Sequence, residues 1–198
     1  MRRTHLLGLT LFSFAFAMPA WLLAQTDAQQ HYGKKPERTI QANPGENNPT
    51  KGIDETDQTF MKEAAIGDQA EIQLGQMAQA KASNPAVKSF GQRMIKDHSD
   101  ASDKLKNIAQ TQHISLPIEL DPEHKNTAGA LSRLSGPQFD KAYMQLMVQE
   151  HTKDVNKFKQ EAASAHDETI KQFAAATLPT LESHLNEAKQ VAQQLGAE

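Results

Sequence analysis

Four side chains able to bind a metal ion stand at positions where a helical pattern calls for apolar residues. Glu71 lies four residues after Gly67 and three before Leu74, and His98 four after Met94 and three before Ala101. His151 lies four after Met147 and four before Val155, and His184 three after Leu181 and four before Ala188. Spacings of three and four keep residues on one helix face, so each of the four points where its apolar neighbours point. One carboxylate with three imidazoles is a donor set for a mononuclear transition-metal site, suited to Zn, Fe, Mn, Ni or Cu. Met94 and Met147 each precede a histidine by one turn, and thioether with imidazole would select copper, although methionine is also ordinary core filling. The rival reading is a buried polar layer that fixes helix pairing and binds nothing.

Neighbouring residues extend both readings. Asp68 and Asp154, near Glu71 and His151, are placed as additional ligands, whereas Asp97 and Glu150 precede a histidine directly and point about 100° away, toward solvent or a supporting role. Gly67 and Gly75 lie one turn either side of Glu71, and either close helix packing or room for an ion would account for them. His5, His31, His113, His124 and His166 fall in the leader, spacer or loops and are given no role.

The elements that must carry these side chains are helices. Apolar stripes predict long helices over about 57–82, 85–112, 137–165 and 167–195, with Thr56 or Asp57 capping the first and Pro85 and Pro137 in first turns. A short helix is predicted near 122–134, and a bend at Pro179 inside the last long one. Each of the four ligand candidates is near mid-helix. Differences of about three residues in depth amount to about 4–5 Å of rise, so antiparallel packing brings them to one layer. The expected fold is all-α: an antiparallel four-helix bundle with a short extra helix in the connection between the second and third long helices.

The 198-residue chain allows one such domain with appendages, and its low aromatic content (6%) suits a lean helical core. Residues 1–24 carry two arginines, an apolar run from Leu6 to Leu23 and a cleavable end at Ala24, the three parts of a secretory signal peptide. Residues 25–55 are rich in Gln, Asn, Pro and Gly and read as a disordered spacer, leaving 56–198 for the bundle. The expected location is the periplasm or cell envelope, with no membrane-spanning domain once the leader is cleaved. There is no cysteine, which excludes disulfides, thiolate metal sites and a lipid anchor at the leader junction. Loss of Arg2 and Arg3 takes the formal net charge from −3 to −5, and Lys34–Lys35 is the only basic pair of note, so nucleic acid is not an expected partner. The residues identify no protein partner.

The segments "FMKEAAIGDQAEIQLGQMAQAKASNPAVKSFGQRMIKDHSDASDKL", "GPQFDKAYMQLMVQEH" and "FAAATLPTLESHL" resemble a bacterial family of exported ferritin-like proteins of unknown function, often labelled outer membrane proteins. The resemblance spans about Asp57 to Leu195 and implies a ferritin-like bundle in the envelope, without implying an activity. Di-iron bundles of that type carry Glu-x-x-His pairs. Here the residues three before His98, His151 and His184 are Ile95, Val148 and Leu181, so the centre is of another, histidine-richer kind. No Ser-His-Asp, Walker or zinc-protease pattern is present, and an oxidase or hydrolase using an open metal position would need a pocket reaching the layer near Pro179.

Overall fold

The computed structural model describes residues 53–197, and the expectations for the leader and most of the spacer lie outside these described residues. Five α-helices form: α1 (Glu55–Lys81), α2 (Pro85–Thr111), α3 (Pro122–Leu131), α4 (Gly136–Ser164) and α5 (Glu168–Gln194). The four long helices are each about 40 Å in length at 1.5 Å per residue. α1 packs on α2 and α4 on α5 as two antiparallel hairpins, and the hairpins join through α2 against α5 and α1 against α4. The fold is therefore the expected all-α four-helix bundle, with α3 in the connection between the hairpins.

Local chemistry accounts for the helix ends. α1 begins two residues before the expected start, because Asp54 rather than Thr56 or Asp57 is the cap and accepts the Thr56 N–H. Asn84, Asp121 and Asp167 cap α2, α3 and α5 in the same way, and proline occupies the first turns of α2, α3 and α4. α5 continues as one helix through Pro179. The Ala175 carbonyl there loses its usual N–H partner, and both residues are exposed, so water can satisfy it.

Two buried aspartates tie each hairpin turn to the other hairpin. Asp140 on α4 accepts the backbone N–H groups of Ser83 and Asn84 and the Ser83 hydroxyl in the α1–α2 turn. Asp57 on α1 accepts the N–H groups of His166 and Asp167 in the α4–α5 turn. The relationship is reciprocal, and it fixes how the hairpins slide against each other.

The apolar interior forms two clusters. One gathers Leu74, Val87, Phe90, Met94, Tyr143, Met147 and Val191 among others, and the other Phe60, Leu105, Val155, Phe158, Ile170 and Leu181 among others. Between them the helices place Glu71, His98, His151 and His184, all buried. Gly75 and Gly91 let α1 and α2 approach closely: a Cβ on Gly75 would lie 2.7 Å from the Gly91 carbonyl oxygen. Gly67 is different, since a Cβ there would meet nothing within 4 Å.

Candidate metal centre

Three of the four expected ligands converge. His98 on α2, His151 on α4 and His184 on α5 each offer a ring nitrogen within 4.8 Å of the others. Their ring centroids are 5.2–5.8 Å apart. Glu71 on α1 sits beside this group rather than among its converging nitrogens, with Oε1 3.9 Å from Nδ1 of His151. Its Oε2 is buried without a hydrogen-bond partner.

The outer ring nitrogens are each anchored. His98 Nδ1 lies 2.9 Å from Asp68 Oδ1, His151 Nδ1 lies 3.0 Å from the Met147 carbonyl, and His184 Nε2 lies 2.9 Å from Asp97 Oδ2. A carbonyl oxygen and an ionised carboxylate only accept, so each of these ring nitrogens donates its N–H. In the neutral, metal-binding form of each ring the remaining nitrogen is then a bare lone pair: Nε2 of His98, Nε2 of His151 and Nδ1 of His184. Two of them, on His151 and His184, face each other at 3.3 Å, and His98 Nε2 is buried without a partner. Two facing acceptors repel unless a cation lies between them. Two nitrogens bound to one ion at about 2.0–2.1 Å with a tetrahedral angle would be about 3.3 Å apart. The donor set and spacing fit an ion held by three imidazoles, each oriented through its outer nitrogen as in other histidine metal sites.

Electrostatics keep most of this layer uncharged. Burial holds His151 down at about 3 and His184 at about 4, with the neighbouring imidazoles adding to the effect, so both are neutral ligand forms at ordinary pH. For His98 burial also disfavours the cation, but the Asp68 hydrogen bond and the nearby Glu71 charge outweigh it and raise its pKa. Burial pushes the Glu71 carboxyl up to about 8 and Asp154 to about 6. Phe90 closes one side of the layer, its ring edge-on to His151 and His184 at 6.2 and 6.4 Å between centroids.

Asp68 supports the cluster by holding His98. Asp154 is half-buried and lines the small cavity beside His98 and His184. Of the two expectations for Asp97, solvent or a supporting role, the second holds: it is the direct acceptor for His184, across from α2 to α5. On its other side it accepts from Arg93, which also reaches Glu187 and Ser183 on α5. Met94 and Met147 are fully buried one turn from His98 and His151. Of the two glycines beside Glu71, Gly75 serves close packing and Gly67 leaves space.

Residues 42–191 match the family described as a domain of unknown function, DUF4142, and the chain belongs to that family. No curated protein matches the chain. Solved structures share the fold at low identity. A DUF305 fragment from Deinococcus radiodurans is 12% identical with a TM-score of 0.65, the match covering 73% of this chain and 99% of that one. A DUF305 protein from Streptomyces coelicolor, described as secreted, is 16% identical with a TM-score of 0.62, covering 72% and 93%. CopM in its Cu(II)-bound form is 19% identical with a TM-score of 0.60, covering 70% and 96%. Among the described residues no helix is long and apolar enough to cross a membrane.

Proposed function

We propose that this protein is an exported binder of a transition-metal ion, held by His98, His151 and His184, with the Glu71 carboxylate beside His151 balancing the ion's charge. The observation that carries this reading is the inward set of three imidazole lone pairs, left bare because Asp68, the Met147 carbonyl and Asp97 take the outer N–H groups. A purely structural polar layer would pair its polar atoms with each other, whereas here two acceptors face at 3.3 Å. The imidazole-rich set suits copper or zinc over hard cations. The likeness to CopM, which is described in Cu(II)-, Cu(I)- and Ag-bound forms, favours copper as the first ion to test.

Export rests on the leader pattern of residues 1–24. The two hairpins around a central polar layer support the ferritin-like description, with an imidazole centre in place of a carboxylate-bridged pair. The functional role is sequestration or carriage of the ion.

The test is a titration of metal-free protein with Cu(II) and Zn(II), followed by melting temperature and bound stoichiometry. One ion per chain and a rise in melting temperature are expected, since a ligand that binds only the folded state stabilises it. His98→Ala, His151→Ala and His184→Ala should each remove that rise. Single variants that melt lower and keep wild-type affinity would establish the layer as structural instead.

A further inference from the structure

Gly67 stands in the middle of α1, where glycine costs helix stability, yet no neighbour requires it to be glycine. Two small cavities meet at this residue. One, about 20 Å³, is bounded by Gly67, Asp68, His98, Asp154 and His184, and so reaches the imidazole cluster. The other, about 30 Å³, is bounded by Gly67, Glu71, Asp154, Glu150 and Glu123, and so reaches the surface beneath α3. Each has room for about one water molecule, and Asp154 lines both.

The outer mouth is acidic and latched. Lys153 lies 3.0 Å from Glu150 and 4.0 Å from Glu123, bridging α4 to α3 across the opening. α3 buries only Ala128 and Leu131, both in its second half, so its first half covers the mouth without an apolar anchor. Glu71 Oε2, buried and unpartnered, stands at the inner end of the same cavity.

Resting on the metal-binding reading above, we propose that the cation reaches the three histidines through this carboxylate-lined passage between α3 and α4. Glu150 and Glu123 attract it at the mouth in exchange for Lys153, Asp154 and Glu71 hand it inward, and Gly67 keeps the way open. Residue 67 then sets the rate of exchange without touching the bound ion. A side chain at 67 slows arrival and departure alike and leaves the affinity unchanged.

The experiment mixes metal-free full-chain protein with Cu(II) sulfate in a stopped flow, reads copper–imidazole absorbance, and measures release into excess EDTA. Gly67→Leu is expected to slow loading and release together by at least tenfold, with the dissociation constant within about twofold of wild type. Gly67→Ala, which adds an atom into open space and should fold, is expected to slow both about threefold, and Glu150→Gln to slow loading. Wild-type rates in both Gly67 variants, or a loss of affinity as large as the loss of loading rate, would overturn the passage. A wild-type protein that takes up no more copper than His151→Ala would overturn the metal-binding reading itself, and the passage with it.

Discussion

The Nε2–H of His184 on α5 donates to Asp97 on α2 over 2.9 Å, so the carboxylate directly preceding one buried histidine orients a different one. This cross-helix bond turns Nδ1 of His184 toward His151 and fixes which nitrogen remains bare. Asp97 is itself held by Arg93, and its carboxyl lies below the ordinary range: burial opposes this, but the His184 and Arg93 hydrogen bonds outweigh it.

Removing that acceptor should act on the ion more than on the fold. In Asp97→Ala the His184 ring loses its fixed orientation, and copper affinity is expected to fall about 10–100-fold, the usual effect of deleting such a supporting partner. The half-buried position limits the stability change to about 1 kcal/mol. Asp100→Ala, which loses only an exposed pair with Lys96, is the control and should change neither. Isothermal titration of both variants checks the contrast.

The convergence of His98, His151 and His184 was legible in the sequence because burial imposes a helical period, and a polar residue on an apolar stripe stands out against it. Depth was legible too, since four helices of similar length joined by short turns leave little freedom to slide. Direction around each helix axis was not. Glu71 has the right depth yet lies behind His151, beside its N–H rather than its lone pair. Asp97 sits about 100° from His98, which left open whether it faces solvent or supports a ligand, and that turn points it at α5, where it supports His184. Asp57 looked like a cap for α1, but its carboxylate is used by a turn more than a hundred residues away. Such bonds depend on which helices are neighbours, and spacing within one helix carries no record of that.

The two glycines near Glu71 should respond in opposite ways to the same change. Gly67→Ala is expected to stabilise the protein by about 0.5–1 kcal/mol, as alanine favours the helix and its methyl group meets nothing. Gly75→Ala places a methyl group against the Gly91 carbonyl and the Ile95 side chain, and should destabilise by about 1–3 kcal/mol. Denaturant unfolding of the two variants, side by side with wild type, gives the sign directly.

The reciprocal clamps predict a large cost for a small polar change. Asp140→Ala leaves two backbone N–H groups of the α1–α2 turn and the Ser83 hydroxyl without their charged acceptor. The expected loss is about 2–3 kcal/mol, within the range for hydrogen bonds to a charged group. Asp57→Ala should cost a similar amount at the opposite end of the bundle, through His166 and Asp167. The two sites share no partner, so the double variant should be additive in thermal or chemical melts.

Acidity should move the stability of chelated protein in both directions. Glu71 has its pKa raised by burial to about 8, so the folded chain keeps a proton that the unfolded chain, near 4.5, releases. Stability from this group is full below about 4.5 and is lost as pH rises toward 8, with a slope of at most about 1.4 kcal/mol per pH unit. His151 and His184 are depressed by burial to about 3 and about 4, so it is the unfolded chain that binds protons below about 6.5. Their contribution falls as pH drops through that value. Opposing slopes place the stability maximum of the metal-free protein in the mildly acidic range. Bound metal alters the alkaline side, because a cation beside Glu71 favours the ionised carboxylate and needs the imidazoles neutral. The gap between copper-loaded and chelated melting temperatures should therefore widen as pH rises from 5 to 8. Glu71→Gln should flatten the alkaline slope of the chelated protein, and an unchanged slope in that variant would show that Glu71 ionises normally and that its burial is not what sets the pH dependence.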